Sequence, residues 1–376
     1  MLLLQSAAIL IGAIAVLLVL QDVFEVLLLP RRVLRNRRLS SLILRPTWRL
    51  WRRAANQLGT RRAAFLSCYG PLSVVILFFT WAVCLIVAYG LCQWGINLHT
   101  PQPLSLDGSL YLSGSTFFTL GFGDVTPHSG AAKILAVVEA ANGFGLVAAV
   151  IGYLPVLYQS FSNRETHVIQ LDARAGSPPS AAFLLNQHGG ADAMPELMDY
   201  LRHCENWAAT LIEGNLSFPM LAFYRSHHDN QSWLAALCAI MDCCAVLLTG
   251  LEGVNAFQPR MTFALGRMAI LELTNTLRLT PEDPKEDRLS PQGYDYLTSM
   301  LRASNLNWAE ADAETRLALL RTTYEPLFYA ISQYLALPLP EWFPSAAPDN
   351  WQSGEDGEVV KELIDTTPPA AQAGLA

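Results

Sequence analysis

The chain has 376 residues, 52% of them hydrophobic and only 15% charged, a balance skewed toward membrane protein and away from an ordinary water-soluble domain. Its formal net charge of −7 hides a division: residues 31–62 hold eleven Arg and no acid, whereas residues 165–376 hold 12 basic and 27 acidic side chains. No nucleic-acid partner is expected of it.

Met1 to Leu20 is an almost unbroken apolar run, followed by Gln21, Asp22 and Glu25 and then Val26 to Leu29. It is long enough to cross about 30 Å of hydrocarbon as a helix. It lacks a basic start and a small-residue cleavage pattern, and Arg31-Arg32 follow at once, so residues 1–29 read as an uncleaved transmembrane helix, not a signal peptide. Residues 31–66 form a basic loop. Arg32, Arg35 and Arg38 are three apart, as are Arg49 and Arg52, which is the spacing of a voltage sensor. A sensor needs apolar residues in the gaps and a set of accompanying spans; here one span precedes the loop, and Arg37 breaks the register. Leu39, Leu42, Ile43, Leu44, Trp48, Leu50 and Trp51 among the arginines instead predict an amphipathic helix on a membrane surface, attractive to anionic lipid. Asp22 and Glu25, one helical turn apart, are expected to meet this arginine cluster as a local ion pair. The excess of Arg places the loop in the cytoplasm. The N-terminus is then outside, and the C-terminal half is cytoplasmic in a multi-pass protein of the inner or plasma membrane.

Pro71 to about Trp94 is a second span without charge. A short turret, Gly95 to Pro103, follows, and Ser105 or Asp107 can cap a helix over roughly residues 108–118. A third span, Ala131 to Tyr158, carries only Lys133 and Glu139. Between helix and span lies Thr116-Phe-Phe-Thr119-Leu-Gly121-Phe122-Gly123-Asp124. This stretch resembles the selectivity filter of the potassium channel family, T-x-x-T-x-G-[Y/F]-G-D, and the resemblance covers about residues 72–160.

Dehydrating a cation requires a substitute shell of oxygens, which rings of backbone carbonyls can supply. Aiming successive carbonyls at one axis needs alternating right- and left-handed backbone, and Gly121 and Gly123 take positive φ at little cost. The resemblance therefore implies a filter of Thr119, Leu120, Gly121, Phe122, Gly123 and Asp124. Potassium ions would bind the carbonyls of Thr119, Leu120, Gly121 and Phe122, with no other cofactor. Leu120 and Phe122 are expected to pack behind the filter, and Asp124 to anchor its outer end. Thr116, Phe117 and Phe118 belong to the pore helix and filter support. In the family this helix points its C-terminus at the central cavity, where its partial negative charge favours a cation. One pore loop per chain implies a homotetramer.

Glu139, the one carboxylate deep in its span, is a functional candidate by position. Packed behind the filter it would bond a neighbouring backbone group or a Thr hydroxyl; facing the cavity it would concentrate cations; at the interface it would simply be solvated. The first reading is preferred. Asn142-Gly-Phe-Gly145 and Gly152-Tyr-Leu-Pro155 interrupt an otherwise helix-favouring run. Gly143, twenty residues beyond Gly123, falls where the resemblance implies a glycine hinge; close helix packing is the equal alternative. Gly152 and Pro155 are gate candidates, Pro155 by kinking the helix.

Residues 165–180 read as a linker and residues 181–345 as a helical cytoplasmic domain. Helical apolar spacing covers Glu196 to Glu213, Ser232 to Leu251, Met261 to Leu279, Tyr294 to Arg302 and Ala313 to Leu337. Ser290-Pro291 resembles a helix start. Residues 346–376 are an acidic, then Pro/Ala-rich tail expected to be disordered. Trp233 to Gly250 is apolar enough to suggest a fourth span, but Asp242 in its middle favours a buried core helix. Cys204, Cys238, Cys243 and Cys244 with His203, His227 and His228 lack ligand spacing for a metal, and the seven cysteines read as reduced. No nucleophile elbow or phosphate loop points to an enzyme.

The fold expected is an all-α membrane protein: a potassium-channel-like pore module, one extra N-terminal transmembrane helix and a helical cytoplasmic domain. The function expected is passive, potassium-selective ion flux. The alternatives are a less selective cation channel, since Phe122 lacks the hydroxyl of Tyr, and a non-conducting membrane anchor for a helical signalling domain.

Overall fold

Long apolar runs must become helices in hydrocarbon, because no water is there to satisfy the backbone. The structure, a computed structural model, describes residues 2–27, 29, 39–97, 103–189, 193–227, 230–251, 253–304, 306, 308 and 312–343. Arg32, Arg35, Arg37 and Arg38, most of the turret, His228 and the tail from residue 346 lie outside them. No strand occurs among the described residues. One compact unit holds residues 1–160 and 216–224; the other holds residues 161–215 and the chain from Arg225 onward.

The first unit contains α1 (Leu2–Leu27), α2 (Leu39–Ala55), α3 (Arg62–Ser67), α4 (Tyr69–Asn97), α5 (Leu106–Phe117) and the first part of α6 (Gly130–Ala175). α1, α4 and α6 are long and apolar enough to cross a membrane. α1 lies antiparallel along α4. A Cβ on Gly12 would stand 2.6 Å from the Ala88 carbonyl, so the bare glycine permits the close approach by which membrane helices associate. The Cys92 thiol reaches the Ile9 carbonyl at 3.6 Å, and near the other end Trp81 Nε1 donates to Asp22 Oδ2 at 2.8 Å.

Among the described residues, the partners of Asp22 are not arginines. It is buried, and besides Trp81 it accepts from the Ser40 amide at 3.1 Å and the Ser40 hydroxyl at 3.3 Å. Ser40 lies in the first turn of α2, where amides lack helical partners and the helix dipole favours a carboxylate. Three neutral donors therefore satisfy the charge. Glu25 accepts from Gln21 Nε2 at 2.9 Å. α2 is the predicted amphipathic helix: Ser40, Trp48 and Ala55 are buried, while Leu42, Arg49, Leu50 and Arg53 are exposed.

α6 runs unbroken for 46 residues, about 69 Å at 1.5 Å per residue. The linker expected over residues 165–180 is therefore helical as far as Ala175. Nothing between Tyr158 and Ala175 breaks a helix; the stop comes at Gly176, left-handed at φ +80°, with Pro178 beyond it. Neither Asn142 to Gly145 nor Gly152 to Pro155 interrupts the helix.

The second unit contains the end of α6, α7 (Ala181–Gln187), α8 (Met194–Ser217, up to Asn215), α9 (Trp233–Thr249), α10 (Phe257–Leu277), α11 (Pro291–Ala303), α12 (Ala313–Arg321) and α13 (Glu325–Leu335). α9 is buried along nearly its whole length, as a core helix should be. Its Asp242 pairs with Arg288 at 2.5 Å and accepts from the Tyr324 hydroxyl at 2.7 Å; Arg288 also reaches Glu325 at 3.1 Å. Burial alone would depress the Arg288 guanidinium, but Asp242 beside it holds it well above the ordinary arginine range. The single helix expected over Ala313 to Leu337 is two. Pro326 has no amide proton and disfavours helix before it, so α12 stops and α13 restarts with Pro in its first turn. α7 and the 3-10 turn Pro219–Phe223 carry no periodic signal at their length. All seven cysteines are free, and no group of three metal-ligating side chains occurs among the described residues.

His188 is expected to give this unit a pH dependence. Its Nδ1 lies 2.8 Å from the Leu184 carbonyl and its Nε2 3.4 Å from Arg174. Burial pushes its pKa down, with Arg174 adding to the shift and the Leu184 carbonyl and Glu196 opposing it; His167 moves the same way, through burial first and then His203. A depressed folded pKa means that the unfolded chain binds the proton more tightly. Stability is thus present above about pH 6.5 and is lost as pH falls through the folded value. The thermal unfolding midpoint of the purified protein should drop between pH 7 and pH 5, and His188→Gln should shrink that drop. An equal drop in the variant would exclude His188 as a source.

Candidate functional site

The site begins at a helix cap. The Ser105 hydroxyl accepts from the Gly108 amide at 3.3 Å and starts α5. α5 ends in a tight exit: the Phe118 amide donates to the Gly114 carbonyl at 3.1 Å, that of Thr119 to Thr116 at 3.0 Å, and that of Leu120 to Ser115 at 2.8 Å. Beyond it φ is positive at every second residue, +56° at Thr119, +62° at Gly121 and +80° at Gly123. This is the left- and right-handed alternation that a carbonyl ladder needs. Thr119 was not expected to share it. A left-handed non-glycine residue costs about 1–2 kcal/mol, here offset by the two amide bonds at Thr119 and Leu120. Around Gly121 and Gly123 no atom lies within 4 Å of an added Cβ, so these glycines are required by backbone conformation and not by space.

Thr119 to Asp124 are all exposed. Leu120 at 56% and Phe122 at 68% exposure are left uncovered by their own chain. Phe117 is buried and meets exposed Phe118 edge-on at 5.4 Å, while Thr116 is half-buried.

Behind α5 lies a belt of polar contacts. Glu139 is wholly buried, and its carboxylate accepts from the Ser113 hydroxyl of α5; Ser113 Oγ also lies 2.7 Å from the Ile86 carbonyl of α4. The structure thus puts Glu139 against the pore helix and not on an open face. Asn142 donates to the Tyr89 hydroxyl, and Gln93 Nε2 donates to the Ala132 carbonyl at 3.1 Å. Gly143 presses on α5 itself: a Cβ there would stand 2.1 Å from the Phe117 carbonyl oxygen. Gly152 has open space around it, and α6 continues past Pro155. Ser113, Tyr89, Gln93 and Asn142 were not singled out from the sequence. The available signal was their polarity inside apolar helices, where an unpartnered polar group is costly.

Three helices able to span a membrane, and between two of them a short helix with a ribbon of alternating handedness, define a multi-pass membrane protein with a pore-loop module. Residues 72–159 match the protein family described as Ion channel. Among curated proteins, “Uncharacterized membrane protein YdjJ” of Bacillus subtilis (strain 168) is 23% identical over 216 residues, covering 56% of this chain and 61% of that protein. “Protein LctB” of Geobacillus stearothermophilus is 38% identical over 65 residues, covering 15% of this chain and 48% of LctB, and the same figures hold for “Protein LctB” of Bacillus caldotenax. The chain thus spans about half to three fifths of the length of these relatives. No solved structure matches it.

Proposed function

We propose that the chain is one of four identical subunits of a potassium-selective channel, and that Thr119 to Asp124 is its filter. The observation that carries this reading is the positive φ at Thr119, Gly121 and Gly123, in a ribbon set between two spans within the segment that matches the ion channel family. Carbonyls of Thr119, Leu120, Gly121 and Phe122 would replace the water shell of the ion. Four copies are favoured because one ribbon offers one side of a cage, and because Leu120 and Phe122 lack cover in a single chain. A matching stripe on α6, Val137, Phe144, Ile151 and Tyr158, is exposed at every seventh residue and would face other copies.

The eleven arginines of residues 31–62 favour a cytoplasmic basic loop, an external N-terminus and a cytoplasmic C-terminal unit. The outer face of α2, with Leu42, Arg49, Leu50 and Arg53, suits the surface of a leaflet containing anionic lipid. Phe122 favours one rival reading, a less selective cation channel: it is exposed and has no hydroxyl with which to brace the ribbon. Purified protein in a planar bilayer, with potassium on one side and sodium on the other, separates the two. A reversal potential near the potassium equilibrium value is expected; one near zero would favour the rival, and no current at all would end both.

A further inference from the structure

We propose that residues 216–224 are a strap through which the C-terminal unit biases opening of the pore; this rests on the channel reading above. The segment Leu216-Ser-Phe-Pro-Met-Leu-Ala-Phe-Tyr224 is apolar, and Pro219 opens its 3-10 turn. Its flanks on both sides belong to the second unit, yet these nine residues belong to the unit of membrane helices. Met220, Leu221 and Ala222 are buried.

Two anchors hold the strap. At its end, the Phe223 ring lies 5.3 Å from Trp48 of α2 and 5.3 Å from Tyr69 of α4, both edge-on. Gly70 makes room there: a Cβ would meet the Tyr224 ring at 2.8 Å and the Phe223 carbonyl at 3.1 Å. At its start, Phe218 lies 5.2 Å from Tyr153 of α6, which in turn meets Phe78 of α4 at 5.9 Å. Tyr153 sits between Gly152 and Pro155, the turn named from sequence as a gate candidate. On that same turn Ile151, Leu154 and Val156 are exposed.

The strap therefore fastens α6 to α2 and α4 by the side opposite its open face. Copies gathered about an axis would meet at the open face, so the fastening draws this part of α6 away from the axis and favours the wider pore. The Tyr153 hydroxyl is buried beside Phe218 without a hydrogen-bond partner among the described residues. Such a group marks a contact that a second seating of the strap could improve, as a two-position element requires.

The test is single-channel recording of the full-length protein, wild type against Phe218→Ala, Tyr153→Ala and the double variant. Unitary current and ion preference should stay as in wild type, while open probability falls about fivefold or more in each single variant. The double variant should fall no further than the worse single one, since both remove one contact. Unchanged or higher open probability, or losses that multiply, would overturn the strap. Should the alanine variants fail to assemble, Phe218→Leu keeps apolar bulk without the ring contact and carries the same expected fall and the same overturning result. Wild type without current overturns the channel reading and the strap together; wild-type current with unchanged variants overturns the strap alone.

Discussion

If the chain forms the proposed potassium channel, Gly123→Ala is expected to abolish potassium current while leaving the proposed four-chain assembly in place. The backbone there stands at φ +80°, with nothing of the same chain within 4 Å of the added methyl, so within each subunit the change acts through conformation. An L-residue in that region costs about 1–2 kcal/mol, and every copy around the pore would pay it. Over four copies this comes to roughly 4–8 kcal/mol, or about three to six orders of magnitude in the population of the intact ladder. Gly121→Ala, at φ +62° and equally uncrowded, should behave alike. Planar-bilayer recording gives the current, and size-exclusion chromatography of the solubilised protein gives the assembly. Wild-type current in Gly123→Ala would remove the ribbon from the conduction path. A non-conducting anchor, by contrast, would tolerate both substitutions without change in any property.

The contrast between ribbon and belt shows what could be read from residues alone. The alternating ribbon was legible because a left-handed backbone leaves a mark in composition: glycine recurs at alternate positions, and Gly121 and Gly123 adopt the left-handed φ that this spacing demands. The three spans were legible for a similar reason, since hydrocarbon tolerates only long apolar runs as helices. Their far ends were not. α6 extends through Arg164, Glu165 and Asp172 because charged side chains suit a helix once it is outside hydrocarbon, so polarity marks the membrane boundary and not the helix boundary. The partners of Asp22 were missed because Ser40 and Trp81 are 18 and 59 residues away, and formal charge favoured the nearby arginines. Ser113, Tyr89 and Asn142 escaped for the same reason. A single hydroxyl or amide in a span has no pattern, and only the fold brings Ser113 to Glu139 across 26 residues. The break between α12 and α13 was available in principle, since Pro326 stood inside the predicted run; apolar periodicity on both sides masked it.

Gly143 carries the second large prediction and decides between hinge and packing. A hinge glycine needs freedom, whereas Gly143 has the Phe117 carbonyl oxygen 2.1 Å from where a Cβ would be. That oxygen belongs to the backbone at the C-terminal end of the pore helix, so no side-chain rotation can relieve the clash. Either α5 or α6 must shift by an ångström or so, at an overpacking cost of about 1–3 kcal/mol per copy. The shift is transmitted directly, because Phe118, Thr119 and Leu120 are hydrogen-bonded back onto α5. Gly143→Ala should therefore lower unitary current about tenfold or more and blur the preference for potassium over sodium. Gly145→Ala and Gly152→Ala, where an added Cβ meets nothing within 4 Å, should leave both properties near wild type. A hinge would give the opposite pattern: open probability would change, while current through an open channel and its ion preference stayed fixed. Reversal potentials in mixed potassium and sodium, recorded for the three alanine variants side by side, read out the difference. Glu139→Leu belongs in the same series. It withdraws the acceptor of the Ser113 hydroxyl behind the pore helix, and its effect should likewise fall on ion preference before open probability.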